Sequence, residues 1–331
     1  MSISDTKKMS ENKLVSFVIP HKGREDMLIA TLESIKQQTI PAEQYEVILV
    51  SQNENVSHTL FEFEQHITLS IIYNDQENSI SHSRNLGAAS ASGLYLAFLD
   101  ADVSIDVSWT QKMVDGIENK PDTVLMFGTQ VISDNARPME IIRTCLASAT
   151  SGTYTESAPG ANLFLKRETF VASPGFPEEL RTCEDIYFTS ELNRFGRIYH
   201  YPDAQFVHLG EDKSFGPMFK KEIWRGQSNI ASTSGRPIPL RELPSFIVPF
   251  AVTLGIIILL LCLLYSQTNF AIIFSIIAGA PLLAYTFRLK KLVGNTVSFL
   301  NCLRFYLVYF PARAIGTLLG ARGAVTTSSH K

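Results

Sequence analysis

The stretch LYLAFLDADV, residues 94–103, is apolar until it ends in Asp100 and Asp102 with only Ala101 between them. Two like charges one residue apart at the end of a buried strand cost free energy unless a cation or hydrogen-bond donors compensate them. Carboxylates so spaced can share a divalent ion through hard oxygen ligands, and Mg²⁺ or Mn²⁺ held that way keeps positions open for water or substrate phosphates. A diphosphate leaving group suits such a centre. The same two residues could instead cap a following turn, so the pair has to be read in its context. A second acidic pair, Glu184 and Asp185, opens the amphipathic segment EDIYFTSELNRFG, at a helix start where the dipole favours negative charge. No GxxxxGK[ST] loop occurs, so a phosphate cradle of that kind is excluded.

The elements that must position these acids can be read from the apolar pattern. Residues 14–19, LVSFVI, are β-branched and aromatic and stop at Pro20, as a buried strand entering a loop does. HKGRED follows, then a helix over MLIATLESIKQQT ended by Pro41. YEVILV (45–50) reads as a second buried strand, LSIIYN (69–74) as a third, HSRNLGAASAS as a helix closed by Gly93, and LYLAFLD as the fourth strand. Further on, TVLMFG has strand character, GANLFLKRETF is a strand entering a helix, and EDIYFTSELNRFG is a helix ending at Gly196. Near-continuous apolar strands alternating with helices predict an α/β fold, a mostly parallel sheet covered on both faces. In open sheets of that kind ligands bind at the carboxyl ends of the strands, which is where Asp100 and Asp102 fall.

The order of strand, VIPHKGR, helix, strand, SISHSRNLGAASASGLYLAFLDADV, and later GANLFLKRETF and CEDIYFTSELNRFG resembles the family 2 glycosyltransferases, which have the Rossmann-like GT-A fold. The resemblance covers residues 15–208, and 78–103 is its most specific part. It implies a nucleotide-sugar donor and a divalent cation, Mg²⁺ or Mn²⁺. It assigns Pro20, His21, Lys22 and Arg24 to the nucleotide loop and puts Arg84 near the nucleotide. Asp102 becomes the direct metal ligand, while Asp100 leans toward the ribose and metal-bound water. Asp185 is implied as general base with Glu184 beside it, and His208 in FVHLG as a residue completing the metal or diphosphate site. The segment 159–164, with Gly160 and Ala161, is implied to line the acceptor side.

The chain also departs from that family. Where many members end their second strand in VVDDGS or VVDNGS, this one has ILVSQNEN, with Ser51 and Gln52 in place of acids. Gln52 and Asn53 can still hydrogen-bond a base edge, but the nucleotide is left open. The loss also leaves room for an inactive scaffold that keeps the fold without binding donor. In place of the Q-x-x-R-W of polymer-extruding members stands KKEIWRGQ, which keeps Trp224 but has Lys220 and Ile223 at the other two places. A non-processive enzyme is expected, with Trp224 stacking on a sugar face, anchoring the domain at an interface or simply buried.

Among 331 residues, 29 Lys+Arg against 32 Asp+Glu make no case for nucleic acid as a partner, while 45% apolar against 18% charged is high for a purely soluble chain. The excess lies in two uncharged runs, 246–265 and 270–287, each long enough to cross a hydrocarbon core of about 30 Å. Arg236 and Arg241 precede the first run, and Arg288, Lys290 and Lys291 follow the second. The positive-inside rule then predicts a hairpin with both outer ends cytoplasmic. A third apolar stretch, 297–319, carries Arg304, Pro311 and Arg313 and reads as an interfacial helix or a third span. Cys145, Cys183, Cys262 and Cys302 lack metal-finger spacing and fit reduced thiols. The expected organisation is a disordered tail over 1–13, a GT-A domain over 14–235, the membrane segments, and a flexible tail over 320–331. The protein is expected in the inner (cytoplasmic) membrane as a multi-pass chain with its catalytic domain on the cytoplasmic side. Its expected partners are a nucleotide sugar, membrane lipids and a glycan, lipid-linked or other membrane-associated acceptor.

Overall fold

A computed structural model describes residues 13–230, 240 and 243–328, with 322–328 by backbone alone. The chain divides into two compact units, one of residues up to Ser133 with Thr150–Gly210, the other of Asp134–Ala149 with the chain from Glu211 onward. The expected N-terminal tail lies outside the described residues except for Lys13, as does the 231–235 end of the expected catalytic domain.

The first unit begins with β1 (Val15–His21), α1 (Glu25–Lys36), β2 (Tyr45–Ser51), α2 (His58–Glu62), β3 (Thr68–Tyr73), α3 (Ile80–Ser90), β4 (Tyr95–Leu99), β5 (Val103–Ile105), α4 (Trp109–Glu118) and β6 (Thr123–Gln130). After α5 (Pro138–Ala147), which belongs to the second unit, come β7 (Tyr154–Thr155), β8 (Asn162–Lys166), α6 (Arg167–Ala172), α7 (Glu184–Leu192) and β9 (Arg197–His208). The sheet runs β3-β2-β1-β4-β8-β6-β9-β5, with β7 on β9. The first four strands are parallel, as the alternation of strand and helix predicts. Beyond β4 the sheet becomes mixed, because β8 pairs antiparallel with both β4 and β6.

Residues 15–21 and 95–99 are buried throughout, and their alternation divides them between two cores. Phe17, Ile19, Ala97 and Leu99 pack on one face with Leu28, Leu32 and Trp109, while Val18, Leu96 and Phe98 pack on the other with Phe176 and Phe188. Covering both faces is what makes these strands apolar at every position. The third strand, expected to be buried, is instead the sheet edge and is half-exposed, with Tyr73 at 52%. Its Leu and Ile content signals a strand but not its place in the sheet. Chain order reverses between β1 and β4, so their carboxyl ends open the crevice in which such sheets bind ligands.

The second unit contains α5, α8 (Phe215–Gly226), α9 (Leu243–Leu264), α10 (Thr268–Val293) and α11 (Phe299–Ser328) around Ile142, Met218, Val252, Leu289, Phe305 and Phe310. Buried Glu222 on α8 meets Arg143 of α5 at 2.9 Å, Arg225 at 2.7 Å and Arg313 of α11 at 3.6 Å. Helices α9 and α10 are long and apolar enough to cross a membrane, with only 17% and 22% of their apolar windows buried. Buried core helices would hide such residues, whereas Leu254, Leu260, Leu263 and Ile276 are all more than half exposed. The second run extends past the expected 287 through RLKK to Val293, because no helix breaker intervenes before Gly294. Helix α11 is not among the membrane-length apolar helices of the described residues. It also does not stop at Leu319: the helix continues to Ser328 through a segment without proline, and of the expected flexible tail only 329–331 fall outside the described residues.

Candidate functional site

The two acidic motifs meet at the carboxyl end of β4. Asp100 follows the strand directly, its N–H donating to the Ala161 carbonyl at 3.1 Å. Asp102 precedes β5, whose antiparallel register sets Val103 opposite His208, and the Leu209 N–H donates to the Asp102 carbonyl at 2.7 Å. This register brings His208 Nε2 to 3.4 Å from Asp102 Oδ1, while Arg24 Nη2 donates to Asp102 Oδ2 at 3.0 Å. A Cβ at Gly210 would lie 2.0 Å from Asp102 Oδ2, so a glycine here is what leaves the carboxylate its space.

The second motif begins α7. Glu184 and Asp185 occupy its first turn, preceded by Cys183 in the left-handed region (φ 62°). Asp185 is partly exposed. Its Oδ2 accepts the Gly160 N–H at 2.7 Å and its Oδ1 the Ile186 N–H at 2.8 Å, which fixes the carboxylate with lone pairs to spare. Glu184 is buried and takes Arg84 Nη1 at 2.8 Å, while Arg84 Nη2 reaches Asp100 Oδ1 at 2.9 Å and the Gly160 carbonyl at 3.4 Å. Burial pushes the Glu184 carboxyl above its ordinary value, and neighbouring Asp185 adds to this while Arg84 opposes it. For Arg84 burial works against the charge, but Asp100, Glu184 and Asp185 outweigh it and hold the guanidinium above its ordinary value. One side chain from α3 thus ties the two acidic motifs together.

The residues expected around the nucleotide are placed more unevenly. Pro20 and His21 end β1, and His21 is enclosed, with Nδ1 at 3.2 Å from Ser51 Oγ and Nε2 at 2.9 Å from the Gly23 carbonyl. Burial holds its pKa below the ordinary value, against the Gly23 bond and Glu25, so the ring is a neutral brace of the loop. Lys22 Nζ donates to the Gln76 carbonyl at 2.6 Å, and Gln52 Nε2 to the Asp75 and Asn78 carbonyls, both at 2.8 Å. The turn 75–78 is therefore held by two residues expected to touch donor. Trp224 lies on α8 of the second unit, 49% exposed.

Sequence reasoning missed three contributors. The 75–78 turn carried a signal in NDQEN, since the Glu77 N–H bonds Asp75 Oδ1 at 2.9 Å as an Asx turn does. Gly210 stands two residues after His208, and Phe176, whose ring lies 5.1 Å from the Arg84 guanidinium carbon, had no readable signal.

The donor set at Asp102 fits a hard divalent cation. One carboxylate and one imidazole nitrogen 3.4 Å apart are close to the separation of about 3 Å that neighbouring ligands on one Mg²⁺-sized ion take. Among the described residues no group of three or more His, Cys, Asp or Glu side chains is placed to hold a metal. The protein would supply Asp102 and His208, leaving the remaining positions to water and phosphate oxygens.

Comparison with known proteins bears on the family and the fold. Residues 16–171 match glycosyl transferase family 2. An uncharacterized glycosyltransferase of Haemophilus influenzae is 26% identical over 191 residues, 54% of this chain and 62% of that protein. The glucosyl-dolichyl phosphate glucuronosyltransferase of Haloferax volcanii is 26% identical over 155 residues, 44% of this chain and 50% of that protein. The match therefore covers less than two thirds of the length of either relative. Among solved structures, the mannosyltransferase PcManGT from Pyrobaculum calidifontis, in complex with GDP-Man and Mn²⁺, superposes with a TM-score of 0.66 at 17% identity, covering 93% of this chain and 87% of that one. At that identity the likeness speaks for the fold.

Proposed function

We propose that this chain, whose residues 16–171 match glycosyl transferase family 2 and whose fold is that of a GT-A enzyme, moves a sugar from a nucleotide-diphosphate donor to a hydroxyl of a membrane-associated or cell-envelope acceptor, with inversion. The observation that carries this reading is the Arg84 bridge, 2.9 Å to Asp100 and 2.8 Å to Glu184, which gathers both acidic motifs into one site. Asp102 and His208 would hold Mg²⁺ or Mn²⁺, and such an ion would supply charge stabilisation to a departing diphosphate. The acceptor hydroxyl gives its proton to the Asp185 carboxylate as its oxygen bonds the anomeric carbon, while the bond from that carbon to the diphosphate breaks and the nucleoside diphosphate leaves with the electron pair. Gly160 and Ile186, through their N–H groups, keep that carboxylate aimed, which is where orientation contributes to rate.

The metal is supported by the donor chemistry at Asp102 and by the Mn²⁺ in the structural neighbour. A lipid-linked acceptor is supported by the two membrane-length helices of this chain and by the name of the Haloferax relative. On this reading the chain is an inner-membrane protein with its domain on the cytoplasmic side, the orientation that Arg288, Lys290 and Lys291 after the second apolar run favour. The test is release of nucleoside diphosphate and transfer of labelled sugar to polyprenyl phosphate or glycosylated polyprenyl phosphate, from UDP-, GDP- and dTDP-sugars, with Mn²⁺ or with EDTA. Metal-dependent transfer from one donor class is expected. Absence of release from every donor, with the protein folded, would overturn the reading.

A further inference from the structure

Resemblance puts Arg84 near the nucleotide, but its surroundings assign it other work. It is 2% exposed and among the largest fully buried side chains. Its Nε is enclosed without a hydrogen-bond partner, and the Phe176 ring lies 5.1 Å from its central carbon. A guanidinium so enclosed has no surface to offer a phosphate, and two carboxylates at charge-assisted distance hold it in place.

We propose that Arg84 is a positioning residue that holds the base-bearing start of α7 in register with the carboxyl end of β4, and is not a ligand of the nucleotide. The inference rests on the glycosyl-transfer reading above. Two closed circuits of contacts pass through it. In the first, Arg84 binds Glu184, adjacent Asp185 accepts the Gly160 N–H, and the Gly160 carbonyl returns to Arg84. In the second, Arg84 binds Asp100, whose N–H donates to the Ala161 carbonyl beside Gly160. The helix is attached to the same segment once more, because Thr189 Oγ1 accepts the Ala158 N–H at 2.9 Å and donates to the Asp185 carbonyl at 2.7 Å. The planar fork spans carboxylates from two elements at once. A lysine ammonium presents a point charge and cannot reproduce it.

The experiment uses the full chain in detergent with Mn²⁺ and compares Arg84→Lys, Glu184→Gln, the double variant and Gly160→Ala with the wild type. It measures nucleoside diphosphate release from the UDP-, GDP- and dTDP-sugars and calorimetric binding of UDP, GDP and dTDP. A base displaced by an ångström costs about 100-fold in rate, so Arg84→Lys and Glu184→Gln should each lower kcat by about that factor. Donor KM and nucleoside diphosphate binding should stay within about threefold. The double variant should fall little below the worse single one, since both cut the same link. A tenfold loss of nucleotide affinity in Arg84→Lys that Glu184→Gln does not share would overturn the inference and make Arg84 a nucleotide ligand. Unchanged kcat in both would overturn it as well.

Should Arg84→Lys not fold, Gly160→Ala carries the test. Its Cβ would meet Arg84 Nη2 at 2.8 Å and Asp185 Cβ at 3.0 Å, disturbing the same circuit without removing a charge. A fall in kcat with nucleotide binding retained supports the inference, and wild-type kcat contradicts it. A wild-type protein that releases no nucleoside diphosphate overturns the underlying reading and this inference with it. An active wild type with the wrong variant pattern overturns the inference alone.

Discussion

Replacing Gly210 by alanine places a methyl group where the Asp102 carboxylate now sits. An ideal Cβ would stand 2.0 Å from Oδ2, 2.9 Å from the carboxyl carbon and 3.3 Å from Arg24 Nη1. Non-bonded heavy atoms rest at about 3.5–4.0 Å, so the carboxylate oxygen has to move by more than about 1 Å. The carboxylate can do so only by turning away from Arg24, now 3.0 Å from Oδ2, and from His208, now 3.4 Å from Oδ1, or by leaving its rotamer at a cost of about 0.5–1.5 kcal/mol. Gly210 is not in the left-handed region, so alanine adds no backbone strain there and the unfolding temperature should barely change. A reacting group misplaced by about 1 Å costs about 100-fold, which corresponds to about 2.7 kcal/mol of barrier. Gly210→Ala should therefore lose about two decades of kcat/KM and require more Mn²⁺ for half-maximal rate. The assay is nucleoside diphosphate release across a Mn²⁺ titration, with free Mn²⁺ followed by electron paramagnetic resonance. Wild-type rate and Mn²⁺ dependence in a folded Gly210→Ala protein would refute the placement of the cation at Asp102.

Other outcomes follow from the same structure. His200 is 1% exposed, with Nδ1 2.8 Å from Thr150 Oγ1 and its ring stacked on Phe127, and burial brings its pKa down to about 4 against a backbone contact to Gly128. Between pH 6.5 and 4 the unfolded chain binds a proton that the folded one refuses, so stability should fall on acidification by up to roughly 3 kcal/mol. In denaturant melts His200→Phe should flatten that slope, and an unchanged slope would contradict the assignment. Glu222→Gln leaves the arginines of its network undercompensated and should destabilise the second unit by about 3 kcal/mol in detergent melts. Burial pushes the Glu222 carboxyl up, but Arg143, Arg225 and Arg313 outweigh it and hold it below the ordinary range. Its stabilisation is therefore present above the unfolded value of about 4.3 and lost as pH falls through the lower folded one. Asp185→Asn should keep nucleotide binding and lose about 10²–10⁴-fold in turnover, and full turnover would remove it from the base role.

Much of this was legible because the signals are local. Wholly apolar runs such as VSFVI and LYLAFL mark strands covered on both faces, and acids at a strand end mark the crevice. The position of β3 was not legible, since LSIIY has the composition of a central strand yet borders the sheet. Nor was the antiparallel entry of β8, which depends on how the chain returns after β6 and not on the pattern of NLFLK. At the site, spacing singled out Asp100 and Asp102 and the family resemblance gave Asp185 and Glu184 their expected roles, whereas the work of Arg84, His21 and Gln52 was not legible. Each is polar in a segment expected to bind the nucleotide, and only the fold shows that their polar atoms bind carboxylates or loop carbonyls of the protein. Contacts between residues about 100 positions apart, such as Arg84 with Glu184, leave no trace in local pattern.

The most direct test of a metal-assisted nucleotide-sugar site at Asp102 is calorimetric titration of the detergent-purified chain with UDP-, GDP-, dTDP- and CMP-sugars, with and without Mn²⁺, beside Asp102→Asn. The account predicts that one nucleotide class binds, that Mn²⁺ strengthens it at least about tenfold, and that the variant loses the strengthening while remaining folded. Binding of no class with Mn²⁺ present, or equal binding by Asp102→Asn, would contradict it. Failure of every class to bind would favour a scaffold that keeps the fold without its donor.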